Sequence, residues 1–231
     1  MRAILLAAGL GTRLRPLTLK KPKCLMKIKR KPLLHIWINK LQDIGVKDIL
    51  INTHYLSEQV ISSIEKFRES LNISIVFEKS LLGTAGTLIK NLNFCIDDTI
   101  LIHADNVMEE NLMGFCEAHK NRPKNCLMTM LTFETKNPKN CGIVKVNDKN
   151  IITEFYEKSL EDNGKLANAA IYILSKNFLD CLAQNHQSDS DFSNHIIPNY
   201  LNKVYTYKTR ENFIDIGSLE QYKEAQKFNI Q

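Results

Sequence analysis

The chain has 231 residues, 44% of them apolar and 24% charged, an ordinary globular composition that excludes a disordered chain. At this length it can bury about 70% of its unfolded surface, so it needs no metal staple or disulfide framework, and no uncharged stretch approaches the ~18 residues of a membrane helix. Charge is uneven: residues 1–42 hold eleven Lys/Arg and no Asp/Glu, while the rest hold 20 Lys/Arg and 25 Asp/Glu, so the front is +11 and the remainder −5 of the net +6.

The first expected strand, Ala3–Ala8, is an almost wholly apolar run, as in a buried parallel strand. The start could pass for a signal peptide, but the run is short, Gly9-Leu10-Gly11 interrupts it and Arg13 and Arg15 follow, so a cytoplasmic protein is expected. Leu33, Leu34, Ile36, Trp37, Ile38, Leu41 and Ile44 lay a helical stripe over Pro32–Ile44, ended by Gly45. Then come a strand over Asp48–Thr53, a helix over Ser57–Ser70, a strand over Ile73–Phe77, a helix over Thr84–Leu92 and a strand over Thr99–His103. This alternation predicts an α/β fold, a doubly wound, mainly parallel sheet with helices on both faces. Beyond about residue 122 the connections shorten. Strands are expected over Cys126–Phe133, Gly142–Val146, Ile151–Tyr156 and Ala169–Leu174, helices over Phe178–Ala183 and Phe192–Leu201, strands over Val204–Tyr207 and Phe213–Ile216, and a closing helix over Leu219–Phe228. The expectation is one domain, 1–231, with a nucleotide-binding half (1–122) and a second half (123–231) inserted into or extending the same sheet. Six cysteines show neither C-x-x-C nor zinc spacing and read as buried reduced thiols.

The first strand runs into Gly9-Leu10-Gly11-Thr12-Arg13, at the end where a parallel sheet opens its ligand crevice. Two glycines let the backbone approach a ligand and turn its N–H groups toward an anion; Thr12 adds a hydroxyl and Arg13 a fork for phosphate oxygens. Leu14 stands where a dinucleotide fingerprint needs its third glycine, and the P-loop spacing is absent. Pro22 fixes the backbone before Lys23, which can hold its charge toward a phosphate. The basic front thus reads as a phosphate-ligand site; the alternative, a nucleic-acid-binding arm, lacks stacking aromatics and a basic helix face.

The run Leu5–Thr18, followed by Pro22-Lys23, resembles the opening signature of the sugar-1-phosphate nucleotidyltransferases, and further motifs match in order along the chain. The resemblance implies a GT-A-like (Rossmann-like) fold and Mg²⁺-dependent transfer of a nucleoside monophosphate from a nucleoside triphosphate to a sugar 1-phosphate, releasing pyrophosphate. It implies Arg13, Lys23 and Asp105 as catalytic groups, with Arg13 facing the pyrophosphate and Lys23 the α-phosphate. Leu6, Ala8, Gly9, Gly11 and Thr12, with Arg13 and Lys23, would bind the nucleotide. Gly83 and Thr84 of Leu82-Gly83-Thr84-Ala85-Gly86-Thr87 match its base-recognition loop, and Glu78 stands where an acid or amide often reads the base; the alternative for Glu78 is a surface carboxylate at a strand end. Asp105 of His103-Ala104-Asp105-Asn106 and Asp215 of the D-x-G segment would hold Mg²⁺, two hard oxygen donors suited to that ion. Asn106, Gly142, Glu157, Lys158 and Asn168 would contact the sugar phosphate. Cys24, Ala104, Cys141, Ala170 and Phe213 depart from the common pattern and bear on sugar identity rather than on any charged group.

Within the family the chain looks most like short guanylyltransferases acting on mannose- or heptose-type 1-phosphates, which makes GTP the favoured nucleotide. Thymidylyl-, uridylyl- and cytidylyltransferases of the same fold, one with a non-sugar phosphate acceptor included, are the alternatives. So is a non-catalytic nucleotide-sugar sensor, although retention of Arg13, Lys23, Asp105 and Asp215 argues against it. No nucleic acid or membrane partner is expected, and self-association into a homo-oligomer is left open.

Overall fold

The computed structural model describes residues 1–230. In chain order the regular elements are β1 (Arg2–Leu6), β2 (Lys27–Ile28), β3 (Lys31–Pro32), α1 (Leu33–Asp43), β4 (Asp48–Thr53), α2 (Ser57–Ile64), β5 (Asn72–Phe77), α3 (Gly83–Lys90), β6 (Thr99–His103), β7 (Asn106–Met108) and α4 (Met113–Lys120). There follow β8 (Met128–Glu134), β9 (Gly142–Val146), β10 (Ile152–Glu157), β11 (Leu166–Leu174), α5 (Lys176–Asn185), β12 (Val204–Lys208), β13 (Phe213–Asp215) and α6 (Leu219–Ala225). The chain divides into two compact units.

The first unit comprises Met1–Leu81, Ile102–Leu112 and the residues from Glu211 on. Its β1, β4 and β5 run parallel, Ala3 opposite Ile49 and Ile49 opposite Ile73. The inner residues of β1 and the run Ile49–Ile51 of β4 are apolar because this part of the parallel sheet is covered on both faces; Ile4, Leu5, Ile49 and Ile51 have no exposed surface. At the end of β6 the Ala104 N–H donates to the Leu6 carbonyl at 3.0 Å, which aligns the two strand ends carrying the site. A small antiparallel ladder sets Asp215 of β13 opposite Asn106 of β7. Beneath that ladder Leu14, Met26, Leu33, Val107, Ile216 and Phe228 form one buried cluster. Each such side chain contributes roughly 1.5–3 kcal/mol by leaving water. Front loop, α1 and the β7/β13 ladder are therefore one packed body.

The second unit comprises Leu82–Leu101 and Met113–Arg210. Its strands lie in the order β10-β9-β11-β8-β12, antiparallel except for the parallel β12–β8 pair. The β11–β8 register shifts between Asn168 and Tyr172, where Ala170 takes φ +54°. Ser175 caps α5 by accepting from the Phe178 N–H.

Strands β4, β6 and β9 have the expected bounds. The helix expected over Phe192–Leu201 is instead one π turn, Phe192–Ile196, followed by a 3₁₀ turn, Ile197–Tyr200. Pro198, without an N–H, cannot continue an α ladder there. Helix α4 and strands β2, β3 and β7 were not anticipated. No helix among the described residues is long and apolar enough to cross a membrane.

Candidate active site

In the first unit the chain leaves β1 into a loop that turns at Gly11, in the left-handed region at φ +62°. The turn is closed by Leu14 N–H donating to the Gly11 carbonyl at 3.0 Å and by the Thr18 hydroxyl donating to the same oxygen at 2.7 Å. A side chain on Gly11 would come within 3.0 Å of Thr18 Cγ2 and 3.2 Å of Lys23 Cβ. Glycine is thus required both by the backbone and by the close passage of Lys23. The loop, Lys23, Asp105, Gly217 and Leu81 line a cavity of about 280 Å³.

Lys23 sits in a 3₁₀ turn after Pro22, its side chain only 8% exposed. Its ammonium donates to Asp105 Oδ2 at 2.6 Å and lies 3.6 Å from Asp215 Oδ1. Asp105 follows β6 and Asp215 ends β13. The link is the β7/β13 ladder, with Ile216 N–H donating to the Asp105 carbonyl at 3.2 Å. Burial alone would raise the Asp105 pKa, but the Lys23 ammonium, His103 and the hydrogen bond from Lys23 outweigh it and hold the carboxyl below the ordinary range. For Asp215, burial and then the Asp105 charge push the pKa up, against Lys23 and Arg13. Both carboxylates thus lean on the Lys23 ammonium, and Arg13 adds a second positive charge that acts on Asp215. Two converging hard oxygen donors fit a divalent ion such as Mg²⁺. Among the described residues no group of three or more His, Cys, Asp or Glu stands together as a metal cage.

Arg13 packs against Gly217, where an added Cβ would stand 2.9 Å from Nη1. Trp37 of α1 donates its indole N–H to the Asn106 carbonyl at 2.9 Å, and Lys40 donates to the Glu109 and Glu110 carbonyls at 3.0 and 2.8 Å. Helix α1 therefore holds the backbone that carries Asp105. Asn106 itself is buried. Cys24, beside Lys23, is buried and its thiol is pushed up to about 12, first by burial and then by Asp105, so it is inert.

At the ends of the parallel strands Asn52 accepts from the Ala7 N–H at 2.7 Å and donates to Glu78 Oε1 at 2.9 Å. Glu78 is 3% exposed, not a surface carboxylate. It orients the Asn52 amide, and through it the β1 end between Leu6 and Ala8.

The other expected residues lie in the second unit. Gly142 faces Glu157 across the β9/β10 ladder, and a side chain at 142 would meet Glu157 Oε2 at 2.7 Å. Lys158 Nζ lies 3.3 Å from Glu157 Oε1 and is otherwise exposed. Asn168 donates to the Tyr172 hydroxyl at 2.8 Å and accepts from the Ala170 N–H at 2.9 Å. Gly83 and Thr84 open α3; Thr84 Oγ1 accepts from the Phe192 N–H at 2.8 Å.

The nucleotidyl transferase family model matches residues 2–231. The chain belongs to this family. It is 34% identical over 188 residues to the mannose-1-phosphate guanyltransferase of Yarrowia lipolytica, covering 79% of this chain and 51% of that protein. It thus spans about half the length of that curated relative. Two solved structures share the fold. One is a candidate glucose-1-phosphate thymidylyltransferase from Bacillus anthracis in complex with sucrose, with TM-score 0.88 and 20% identity over 100% of this chain and 97% of that one. The other is HddC from Yersinia pseudotuberculosis complexed with GMP-PN, with TM-score 0.80 and 24% identity over 98% of both chains. The fold of this nucleotidyl transferase is accordingly the Rossmann-like one that the resemblance implies, in agreement with the doubly wound sheet expected from the strand–helix alternation.

Asn52, Trp37 and Gly217 carry weight that the sequence reading had not given them. An asparagine ending the apolar run Ile49-Leu50-Ile51 is the one signal that stood in view: a polar side chain buried there must be hydrogen-bonded.

Proposed function

We propose that this nucleotidyl transferase couples a nucleoside triphosphate, GTP by preference, to a sugar 1-phosphate of mannose or heptose type and releases pyrophosphate. The observation carrying the reading is the convergence of Lys23, Asp105 and Asp215 beside the Gly9–Arg13 loop in a member of this family. The preference for GTP and a mannose-type sugar draws on the named guanyltransferase relative and on the GMP-PN complex of HddC.

In the reaction a phosphate oxygen of the sugar 1-phosphate attacks the α-phosphorus, a new P–O bond forms, the bond from the α-phosphorus to the bridging oxygen breaks and pyrophosphate leaves with the electron pair. Such a transfer asks the protein for position and positive charge rather than for a covalent intermediate. The Gly9–Arg13 backbone and Thr12 receive phosphate oxygens. Arg13 holds the departing pyrophosphate, and Lys23 balances charge building on the α-phosphate. Asp105 and Asp215 would hold Mg²⁺, which when bound neutralises phosphate oxygens. Asp105 also aims the Lys23 side chain through their 2.6 Å hydrogen bond. Gly83, Thr84 and the Asn52–Glu78 pair are assigned to nucleotide recognition, and Asn106, Gly142, Glu157, Lys158 and Asn168 to the sugar phosphate. Cytoplasmic residence accords with six free cysteines.

The test is a matrix of four nucleoside triphosphates against several sugar 1-phosphates with Mg²⁺, read by the mass of the nucleotide sugar. A GDP-sugar is expected. A TDP-, UDP- or CDP-product would overturn the base assignment, and no product in any cell would overturn the activity.

A further inference from the structure

The first N–H groups of an α-helix have no partner within the helix and must find one elsewhere. In α3 no side chain caps them. The partner is a backbone carbonyl from a distant stretch of the second unit: Ala85 N–H donates to the Ser190 oxygen at 3.0 Å, with Gly86 N–H at 3.5 Å from the same atom. Alongside, Phe192 N–H donates to Thr84 Oγ1 at 2.8 Å.

One glycine of this motif is shaped to that seat. Gly83 is left-handed at φ +79°, and a Cβ on it would lie 2.3 Å from the Ser190 oxygen and 3.0 Å from its carbonyl carbon. Close approach of the Ser190 backbone is therefore a sufficient physical reason for glycine at 83, whatever ligand lies near.

The segment is anchored on its far side. Asp189 Oδ2 accepts from His186 Nδ1 at 2.6 Å, which makes that ring nitrogen the protonated one. Asp191 accepts from Asn194 N–H at 2.9 Å. Phe192 is 1% exposed and packs on Tyr172 at 4.7 Å and Phe178 at 6.2 Å between ring centroids. Tyr172 is the residue whose hydroxyl accepts from Asn168.

We propose that Asp189–Phe192 is a positioning brace for the nucleotide-reading turn Gly83–Thr87, locked by the His186–Asp189 hydrogen bond. The proposal rests on the assignment of that turn to nucleotide recognition. The brace touches no reacting atom; it fixes the direction of the α3 N–H groups and of the Thr84 hydroxyl. Its loss should weaken nucleotide binding while leaving the sugar phosphate and the chemical step untouched. Freeing one positioning hydrogen bond corresponds to about 1.4 kcal/mol, or tenfold in affinity.

The variants are Asp189→Ala and His186→Ala, with Asp189→Asn as the conservative control because its amide oxygen still accepts from His186. Kinetics with the best triphosphate and sugar phosphate are read beside calorimetric titration with that triphosphate and Mg²⁺. The expected result is a KM and Kd for the triphosphate raised about tenfold, a KM for the sugar phosphate and a kcat within about threefold of the parent, and recovery in Asp189→Asn. An unchanged triphosphate KM, or an equal loss in every parameter, would overturn the brace. Amide hydrogen exchange over residues 82–88 supplies a readout that needs no turnover. The Ala85 amide should exchange at least tenfold faster in Asp189→Ala, and unchanged protection would also overturn the proposal. A parent protein that binds no triphosphate, yet shows this loss of protection in the variant, would sink the nucleotide assignment and leave the seat standing.

Discussion

Replacing Lys23 by Met removes the ammonium and keeps most of the stem that packs beside Gly11, so the change isolates charge. In the parent that ammonium lies 2.6 Å from Asp105 and 3.6 Å from Asp215. A fully buried pair broken on one side costs about 3–5 kcal/mol. Here the side chains of Asp105 and Asp215 are 37% and 51% exposed, so water takes up much of the loss. About 1–2 kcal/mol is the resulting cost, at about 2–4 °C in Tm per kcal/mol for a chain of this size. Turnover should suffer more. An electrostatic donor aimed at transition-state charge contributes about 2.7–4 kcal/mol, so kcat should fall 10²–10³-fold. The pH dependence follows from the sign of each shift. Asp105 has a depressed pKa in the fold, so its contribution is present above the ordinary 3.8 and is lost as pH falls through the lower folded value. Asp215 has a raised pKa; its contribution is complete below 3.8 and is lost as pH rises through the folded value. The Tm gap between parent and variant should therefore narrow on acidification below about pH 4. Without nucleotide, Mg²⁺ should also raise Tm more in the variant, because no ammonium competes for the two carboxylates. Thermal melts from pH 3 to 8 with and without Mg²⁺, together with steady-state kinetics, test all of this. Activity within threefold of the parent, or a Tm gap independent of pH, would refute the reasoning.

Ala170→Gly should stabilise: φ +54° costs an alanine about 1–2 kcal/mol, of which the looser unfolded glycine takes back about half, and a Tm rise of a few degrees checks it. Gly217→Ala should lower Tm by about 2–4 °C, since the new Cβ would stand 3.0 Å from Gln221 Oε1, which accepts from the Gly217 N–H and must shift at a cost of about 1 kcal/mol. Because Arg13 must move, kcat/KM for the triphosphate should drop about tenfold. Trp37→Phe strips the donor from the buried Asn106 carbonyl and should cost about 1–3 kcal/mol in denaturant unfolding.

Strands β1, β4 and β6 were legible because each centres on consecutive apolar residues with a turn at its end, as in Ile49–Ile51 and Ile100–Ile102. The Gly9–Arg13 loop and Lys23 were legible because charge and glycine fall at a strand's carboxyl end. Helix α4 was hidden. Met113-Gly114-Phe115-Cys116 gives no clean stripe, and Gly114 packs so tightly that an added Cβ would stand 2.6 Å from the Tyr207 hydroxyl. Tertiary contact rather than propensity makes that helix. The meeting of Asp105 with Asp215 depends on a ladder of three residues a side, too short to leave a periodic signature. The Asn52–Glu78 pair escaped because burial of a carboxylate against an amide is visible only once the strands are side by side. The Ser190 seat escaped because it uses a backbone carbonyl, which no side-chain pattern announces.

Whether Lys23, Asp105 and Asp215 form the nucleotidyl-transfer centre turns on one substitution, Asp105→Asn. Pyrophosphate release is measured across the full set of triphosphates and sugar 1-phosphates with Mg²⁺, with circular dichroism confirming the fold. The expected result is a folded protein with turnover lowered at least a thousandfold. A folded Asp105→Asn protein that releases pyrophosphate at the parent's rate would contradict it.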